Sequence, residues 1–466
     1  MCIGMTHSLV SSTSTLRQLT ETCARSHANA APRRGLSRHT RDWHKNCSCN
    51  GTRPTITQGV KMSRNGSEWT RRPSISPSQF VDPRIYTDAE IFRDEQRLIF
   101  DKCWLIACHE SEVPNPFDYR LYEHPGGHNV IIIRDEENRV HAFNNICPHR
   151  GNLLLHEAAG SIKGASASGG PKRITCIFHA WAFDAKGNCV DIPREKEGYQ
   201  DRVAKCDYSL REYRTEVAHG GFVWVNVDDS AASLNDYLAG ALDPLDEMLA
   251  QPLEVFHYHR AVVDGNYKLW HDTNLELYHD YMHYHNRVTG MLQPGYFDRE
   301  FITYEGGHAR VTDMTLKYEA MKGHETQKLG WPGLEANRWA LVDLFPGATF
   351  NIRAPAFRID TVLPLGPNKL CIEYRGLGLK SDTAEERAAR IRMHNSIWGP
   401  FGRNLPEDLM GAYGQGLALS DPTEAPVILH ARVENNKIHD EVGMRHFYKE
   451  WSRRMGRESS DPFNQM

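Results

Sequence analysis

A chain of 466 residues with 40% apolar residues exceeds what one hydrophobic core usually spans, so two domains with sizeable cores are expected. Its formal net charge of −4 argues against nucleic acid as a general partner, since phosphate backbones call for a basic face. The longest obvious apolar run, Val130-Ile-Ile-Ile133, is far short of the ~18 residues that span a bilayer, and eleven cysteines without a secretory signal read as reduced thiols and ligands, so a cytoplasmic chain with no membrane partner is expected.

Residues 1–61 stand apart, with nine Lys/Arg against two acidic residues and a Ser/Thr/Arg-rich composition. They read as a disordered extension ahead of a sensible start at Met62, with a transit peptide as the alternative. Over 62–101 the main feature is Thr87-Asp-Ala-Glu90, which has the form of a capping box. Ile91, Phe92, Leu98 and Ile99 then share one face, predicting a helix over about 87–101 that packs on the core.

Residues 102–225 alternate short apolar runs with turns, as in Asn129–Arg134, Asp135-Glu-Glu-Asn138 and Val140–Asn144, which predicts a small antiparallel β domain. Within it Cys147-Pro-His149 is followed, after 26 intervening residues, by Cys176-Ile-Phe-His179. Zinc sites usually pair Cys with Cys and His with His, whereas each segment here carries one of each. That pattern fits a Rieske [2Fe–2S] centre, in which two thiolates hold one iron and two imidazoles the other. Gly160–Gly170 is too rich in Gly and Ser for a core strand and lengthens one of the two ligand loops. Cys103, Cys108, Cys189, Cys206 and Cys371 lack a partner at ligand spacing and read as buried thiols.

Residues 226–455 form the second domain, with 456–466 as a tail. In Trp270–His285 a continuous helix would place Glu276, His279 and His283, at i, i+3 and i+7, on one face. Two imidazoles one turn apart plus one carboxylate make the 2-His-1-carboxylate set of non-haem Fe(II) oxygenases. Leu405-Pro-Glu-Asp-Leu-Met410 reads as a helix start and offers that carboxylate as Asp408, with Glu407 as the alternative. His285 is the alternative to His283, which helical phase favours. Arg310, Lys317, Arg353 and Arg358 fall in predicted strands and read as exterior charges rather than as inward-pointing donors.

Trp104, Gly126-Gly127, Asn145, Cys147-Pro-His-Arg-Gly151, His179-Ala-Trp181 and Gly187, then Glu276-Leu-Tyr-His279, Pro406-Glu-Asp408 and Gln415, together resemble the α subunits of Rieske non-haem iron oxygenases over most of residues 80–420. The resemblance implies an α+β chain with an N-terminal Rieske domain and a helix-grip (START-like) catalytic domain, carrying one [2Fe–2S] cluster on Cys147, His149, Cys176 and His179 and one mononuclear Fe(II). It implies a head-to-tail trimer, α3 or α3β3 with a small β subunit, in which Glu276 bridges one subunit's cluster to its neighbour's iron. It also implies electrons from a flavin NADH reductase through a ferredoxin. Relatives more often have aspartate at the bridge and a shorter spacing inside the Rieske motif. The long spacing resembles the methanesulfonate monooxygenases, which implies oxidation of methanesulfonate or a related small alkanesulfonate to formaldehyde and sulfite. An aromatic-ring-hydroxylating oxygenase is the alternative, and a Rieske electron carrier without catalytic iron is the alternative of a different class.

Overall fold

The computed structural model describes residues 73–465 apart from 165–171, 289–293, 316–328, 335–337, 354, 421–426 and 433–434. The extension before Met62, Lys317 and most of Gly160–Gly170 lie outside the described residues, as does the side chain of His285. Among the described residues no helix is long and apolar enough to cross a membrane.

Helix α1 runs over Ala89–Leu98, shorter than the expected 87–101, and a 3-10 turn follows at Phe100–Lys102. Its cap is Asp88 rather than Thr87. The Asp88 carboxylate accepts the N–H groups of Glu90 and Ile91 at 2.8 and 2.9 Å, two donors the first turn leaves without partners. The buried face holds Ile91, and also Glu95, whose carboxylate meets Lys268 at 2.6 Å with both side chains fully buried.

The first β unit is a seven-stranded antiparallel sheet. Its strands are β1 (Leu105–His109), β2 (Asp118–Glu123), β3 (Asn129–Arg134), β4 (Val140–Asn144), β5 (Ala159–Ser161), β9 (Glu212–Ala218) and β10 (Phe222–Asn226), ordered β1-β10-β9-β4-β3-β2-β5. A smaller sheet, β6 (Ile174–Thr175), β7 (Ala182–Phe183) and β8 (Cys189–Asp191), lies between β5 and β9 in sequence. Strand β3 shows why the apolar run is continuous. Ile131 and Ile133 pack with Phe143, Cys147, Cys176 and Trp181, while Val130 and Ile132 pack on the other side with Ala142, Tyr213 and Val223. A side-chain period of two thus places both faces in core, each buried isoleucine contributing about 1.5–3 kcal/mol. Cys206 is exposed, unlike the other cysteines expected to be buried.

The second unit is built on another seven-stranded antiparallel sheet. It comprises β11 (Leu253–Val263), β12 (Phe301–Tyr304), β13 (His308–Thr315), β14 (Arg338–Leu344), β15 (Ala348–Arg353), β16 (Ala356–Gly366) and β17 (Lys369–Leu379), ordered β11-β17-β16-β15-β14-β13-β12. One face carries Ala340, Val342, Phe350, Ile352, Phe357 and Ile359, which share a core with Trp104, Ile106, Phe222 and Trp224 of the first unit. The opposite face carries Trp339, Leu341 and Tyr374, which share a core with Trp270 of helix α2 (Tyr267–Glu276) and with Phe447 and Trp451. Three further helices matter below: α4 (Ala384–Trp398), α5 (Leu405–Leu419) and α6 (Val442–Met455), with a short α3 (Tyr284–Val288) before them. This is the α+β arrangement expected, an antiparallel β domain followed by a sheet with helices laid on it. The C-terminal tail pairs Arg457–Glu458 with Asp461–Gln465, and Arg457 is tied to Asp94 of α1 at 2.6 Å.

Candidate functional site

The two Cys–His segments fold in the same way. In the first, Cys147 N–H donates to Asn152 C=O at 2.8 Å and Cys147 C=O accepts from Gly151 N–H at 2.9 Å. In the second, Cys176 N–H donates to Trp181 C=O at 2.8 Å and Cys176 C=O accepts from Ala180 N–H at 2.9 Å. Both loops close through a left-handed residue, Gly151 (φ 76°) and Ala180 (φ 59°). The thiols are buried beneath the tip, and the imidazoles of His149 and His179 lie half-buried above them with ring centres 4.6 Å apart. His149 stacks on Trp181 at 4.6 Å and has the Tyr199 hydroxyl 3.2 Å from Nε2, while its Nδ1 is buried with no hydrogen-bond partner. A buried imidazole nitrogen without a partner, on a ring beside a second imidazole and near two buried thiols, suits an iron–sulfur cluster with mixed ligands.

The second set is built on a broken helix, which corrects the expectation of a continuous one. Helix α2 ends at Glu276 because Leu277 turns left-handed (φ 41°); the chain continues as a 3-10 turn, Tyr278–Tyr281, and resumes as α3 at Tyr284. His279 and His283 nevertheless converge, with ring centres 5.3 Å apart. Asp408, in the first turn of α5 after Pro406, completes a group whose donor atoms all lie within 4.8 Å of one another. Its Oδ1 is 3.1 Å from His283 Nε2 and 3.5 Å from His279 Nε2.

Each imidazole is held from behind. His279 Nδ1–H donates to Glu276 at 2.5 Å, and His283 Nδ1–H donates to Glu407 at 2.6 Å. Glu407, the alternative carboxylate, therefore addresses the ring nitrogen remote from Asp408. Burial disfavours charge on both imidazoles, but the carboxylates of Glu276 and Asp408 at His279, and of Asp408 and Asp280 at His283, outweigh it and raise both. Burial likewise opposes ionisation of Asp408, yet the two histidines hold it well below the usual carboxylate range. Two Nε2 atoms and one carboxylate oxygen on one side, each imidazole backed by a carboxylate, can hold a divalent iron with positions left open.

Beside this group is a cavity of about 20 Å³, roughly room for the centre of one water-sized sphere to move, lined by His279, His283 and Asp408 and by Asn351, Arg353 and Arg358. The last two correct the expectation of exterior strand charges: Arg353 is 5% exposed and Arg358 2%. Arg310 is half-buried and donates to the Tyr304 hydroxyl at 2.9 Å. Asp280, absent from the sequence reading, is buried with Oδ1 3.9 Å from His283 Nε2; only its place next to His279 hinted at it.

Residues 103–214 match the Rieske [2Fe-2S] domain family, and residues 250–457 match the catalytic domain of the ring hydroxylating alpha subunit family. The chain is 52% identical to the methanesulfonate monooxygenase hydroxylase subunit alpha of Methylosulfonomonas methylovora, across 86% of this chain and 97% of that protein. It is 38% identical to the 2-aminobenzenesulfonate 2,3-dioxygenase subunit alpha of an Alcaligenes species, across 86% and 99%. Its fold matches naphthalene 1,2-dioxygenase from a Rhodococcus species (TM-score 0.66, 20% identity, 80% and 94% covered) and a quaternary ammonium Rieske monooxygenase (TM-score 0.66, 19% identity, 81% and 96% covered). With both domain families matched and long, high-identity relatives that are themselves oxygenase subunits, the chain belongs to the Rieske non-haem iron oxygenases, as a terminal oxygenase α subunit that uses a [2Fe–2S] cluster and a mononuclear iron.

Proposed function

We propose that this subunit hydroxylates methanesulfonate or a related small alkanesulfonate. The balanced reaction is CH3SO3⁻ + O2 + NADH + H⁺ → HOCH2SO3⁻ + NAD⁺ + H2O, after which the hydroxymethanesulfonate releases sulfite and formaldehyde. The observation that carries this reading is the pair of buried arginines, Arg353 and Arg358, in the lining of the cavity at His279, His283 and Asp408, a cationic lining that suits a small anion. The relatives named for methanesulfonate and aminobenzenesulfonate agree with a sulfonate.

In this reading Cys147 and Cys176 bind one cluster iron as thiolates, and His149 and His179 bind the other. His279, His283 and Asp408 bind the mononuclear iron. When bound, the cluster supplies electrons singly and the mononuclear iron activates O2. Glu276 and Glu407 accept the Nδ1 protons of His279 and His283, which frees both Nε2 atoms as ligands and fixes the ring planes. Glu276 also bridges to the cluster of a neighbouring subunit in a head-to-tail trimer, with electrons delivered by a ferredoxin and a flavin NADH reductase in the cytoplasm. The Rieske domain spans 102–225 and the catalytic domain 226–455, with 62–101 as its N-terminal part.

A single turnover tests the substrate. Iron-replete protein, chemically reduced and mixed with methanesulfonate and O2, should release near-stoichiometric sulfite and formaldehyde. Absence of sulfite, with hydroxylation of an aromatic sulfonate or carboxylate instead, would overturn the proposal and leave the oxygenase assignment in place.

A further inference from the structure

We infer that Arg358, with Arg353 beside it, is the anion-recognition end of the cavity and takes the sulfonate oxygens of the substrate. This rests on the alkanesulfonate reading above and identifies the residues that would enforce it.

Strand register brings the group together. Asn351 of β15 pairs directly with Arg358 of β16, and Arg353 is two residues along from Asn351. With a side-chain period of two, all three project from the face opposite Phe350, Ile352, Phe357 and Ile359. They therefore share the helix-covered face with His279, His283 and Asp408 and line the same cavity.

Arg358 is 2% exposed and only partly engaged. One terminal nitrogen donates to Asp360 at 2.6 Å, while Nε and Nη1 are buried with no hydrogen-bond partner. Its guanidinium carbon lies 4.8 Å from the ring centre of Trp398 and 5.4 Å from that of Tyr374, aromatic walls that hold a planar cation in place. Arg353 is likewise set over Trp339 at 3.9 Å. Asn404 adds a buried side-chain N–H group without a partner at the same cavity. Buried donors without partners are costly, and N–H groups of Arg358 and Asn404 in one cavity lining can each take an oxygen of a tetrahedral oxyanion. With those oxygens at Arg358, the methyl group of methanesulfonate is left to the side of the cavity formed by His279, His283 and Asp408.

The test is anaerobic calorimetric binding of methanesulfonate, acetate, benzenesulfonate and the neutral isostere dimethyl sulfone to the iron-replete protein, to Arg358→Gln and to Arg358→Gln/Asp360→Asn. The double variant removes both members of the buried pair, so that no lone charge is left to prevent folding. Cluster absorbance and iron content report that each variant is intact. The inference expects methanesulfonate affinity to fall by about 100-fold or more in both variants, KM to rise accordingly and dimethyl sulfone binding to stay as it was. Unchanged methanesulfonate affinity, an equal loss for dimethyl sulfone, or a fall in kcat without a rise in KM would overturn it. A wild-type protein that binds acetate or benzenesulfonate through Arg358 but not methanesulfonate would support the anion site while sinking the substrate proposal; one that binds none of the anions would sink the site itself.

Discussion

At His283 two carboxylates meet opposite ring nitrogens: Glu407 takes Nδ1 at 2.6 Å and Asp408 faces Nε2 at 3.1 Å. The two acids are adjacent in sequence, so the helix alone separates the carboxylate at Nε2 from the one at Nδ1. Glu407→Gln should weaken mononuclear iron binding about 10–100-fold, because the amide no longer fixes the tautomer of His283, whereas Asp408→Ala should lose that iron altogether. Metal analysis against the unchanged visible spectrum of the cluster checks both; loss of the spectrum itself would show the variants to be misfolded rather than stripped of a ligand. The pairing of His279 with His283 was expected from a continuous helix, and the two converge although that helix breaks at Leu277. The inward direction of Arg353 and Arg358 was not legible in the sequence: β15 and β16 are buried on both faces, so the alternation of apolar and polar residues that marks an exposed face is missing.

Helix α1 is fastened to α2 and α6 by a buried cluster in which Glu95 meets Lys268 at 2.6 Å and the Trp451 indole N–H at 2.6 Å. Burial pushes the Glu95 carboxyl up and the Lys268 ammonium down, the two shifts agreeing that desolvation dominates both partners. Such a pair adds little net stability but is costly to break. Glu95→Ala should destabilise the fold by about 3–5 kcal/mol, since it strands a buried ammonium, while Glu95→Met/Lys268→Met should be close to neutral. Denaturant midpoints of the three proteins decide it, and equal losses in the single and double variants would refute the account. Local sequence signals located α1 but misplaced its cap by one residue, and the stop of α2 at Leu277 left no glycine or proline to read. That turn has a leucine side chain buried in the core, so packing rather than turn propensity accompanies it.

Three distant segments meet at Asp272, whose carboxylate accepts from the hydroxyls of Tyr86 at 3.2 Å and Tyr448 at 2.9 Å. Burial pushes this carboxyl up to about 7, against the two tyrosine hydrogen bonds that lower it. The folded state therefore binds a proton there that the unfolded chain releases near pH 4, so its contribution is full below about pH 4 and is lost as pH rises to about 7. Carboxylates such as Glu373, held down to about 2 by Arg375 and Arg260 despite burial, act in the opposite direction at lower pH. Asp272→Asn should leave stability near its wild-type value at about pH 4 and raise it by as much as a few kcal/mol at about pH 8. Melting temperatures of the two proteins at both pH values test this, and an identical pH dependence would refute it.

The residue types and spacings were enough to establish the Cys–His segments, the antiparallel β domain ahead of the second unit, the helix start that carries Asp408 and the likeness to Rieske oxygenases, because short loops, helix starts and side-chain periodicity are local properties. Only the tertiary structure decided which carboxylate faces which imidazole nitrogen, that Arg353 and Arg358 face the cavity, and that Glu95, Lys268 and Asp272 are buried together. Those outcomes depend on strand register and on which elements cover each face, and the partners stand tens to hundreds of residues apart along the chain.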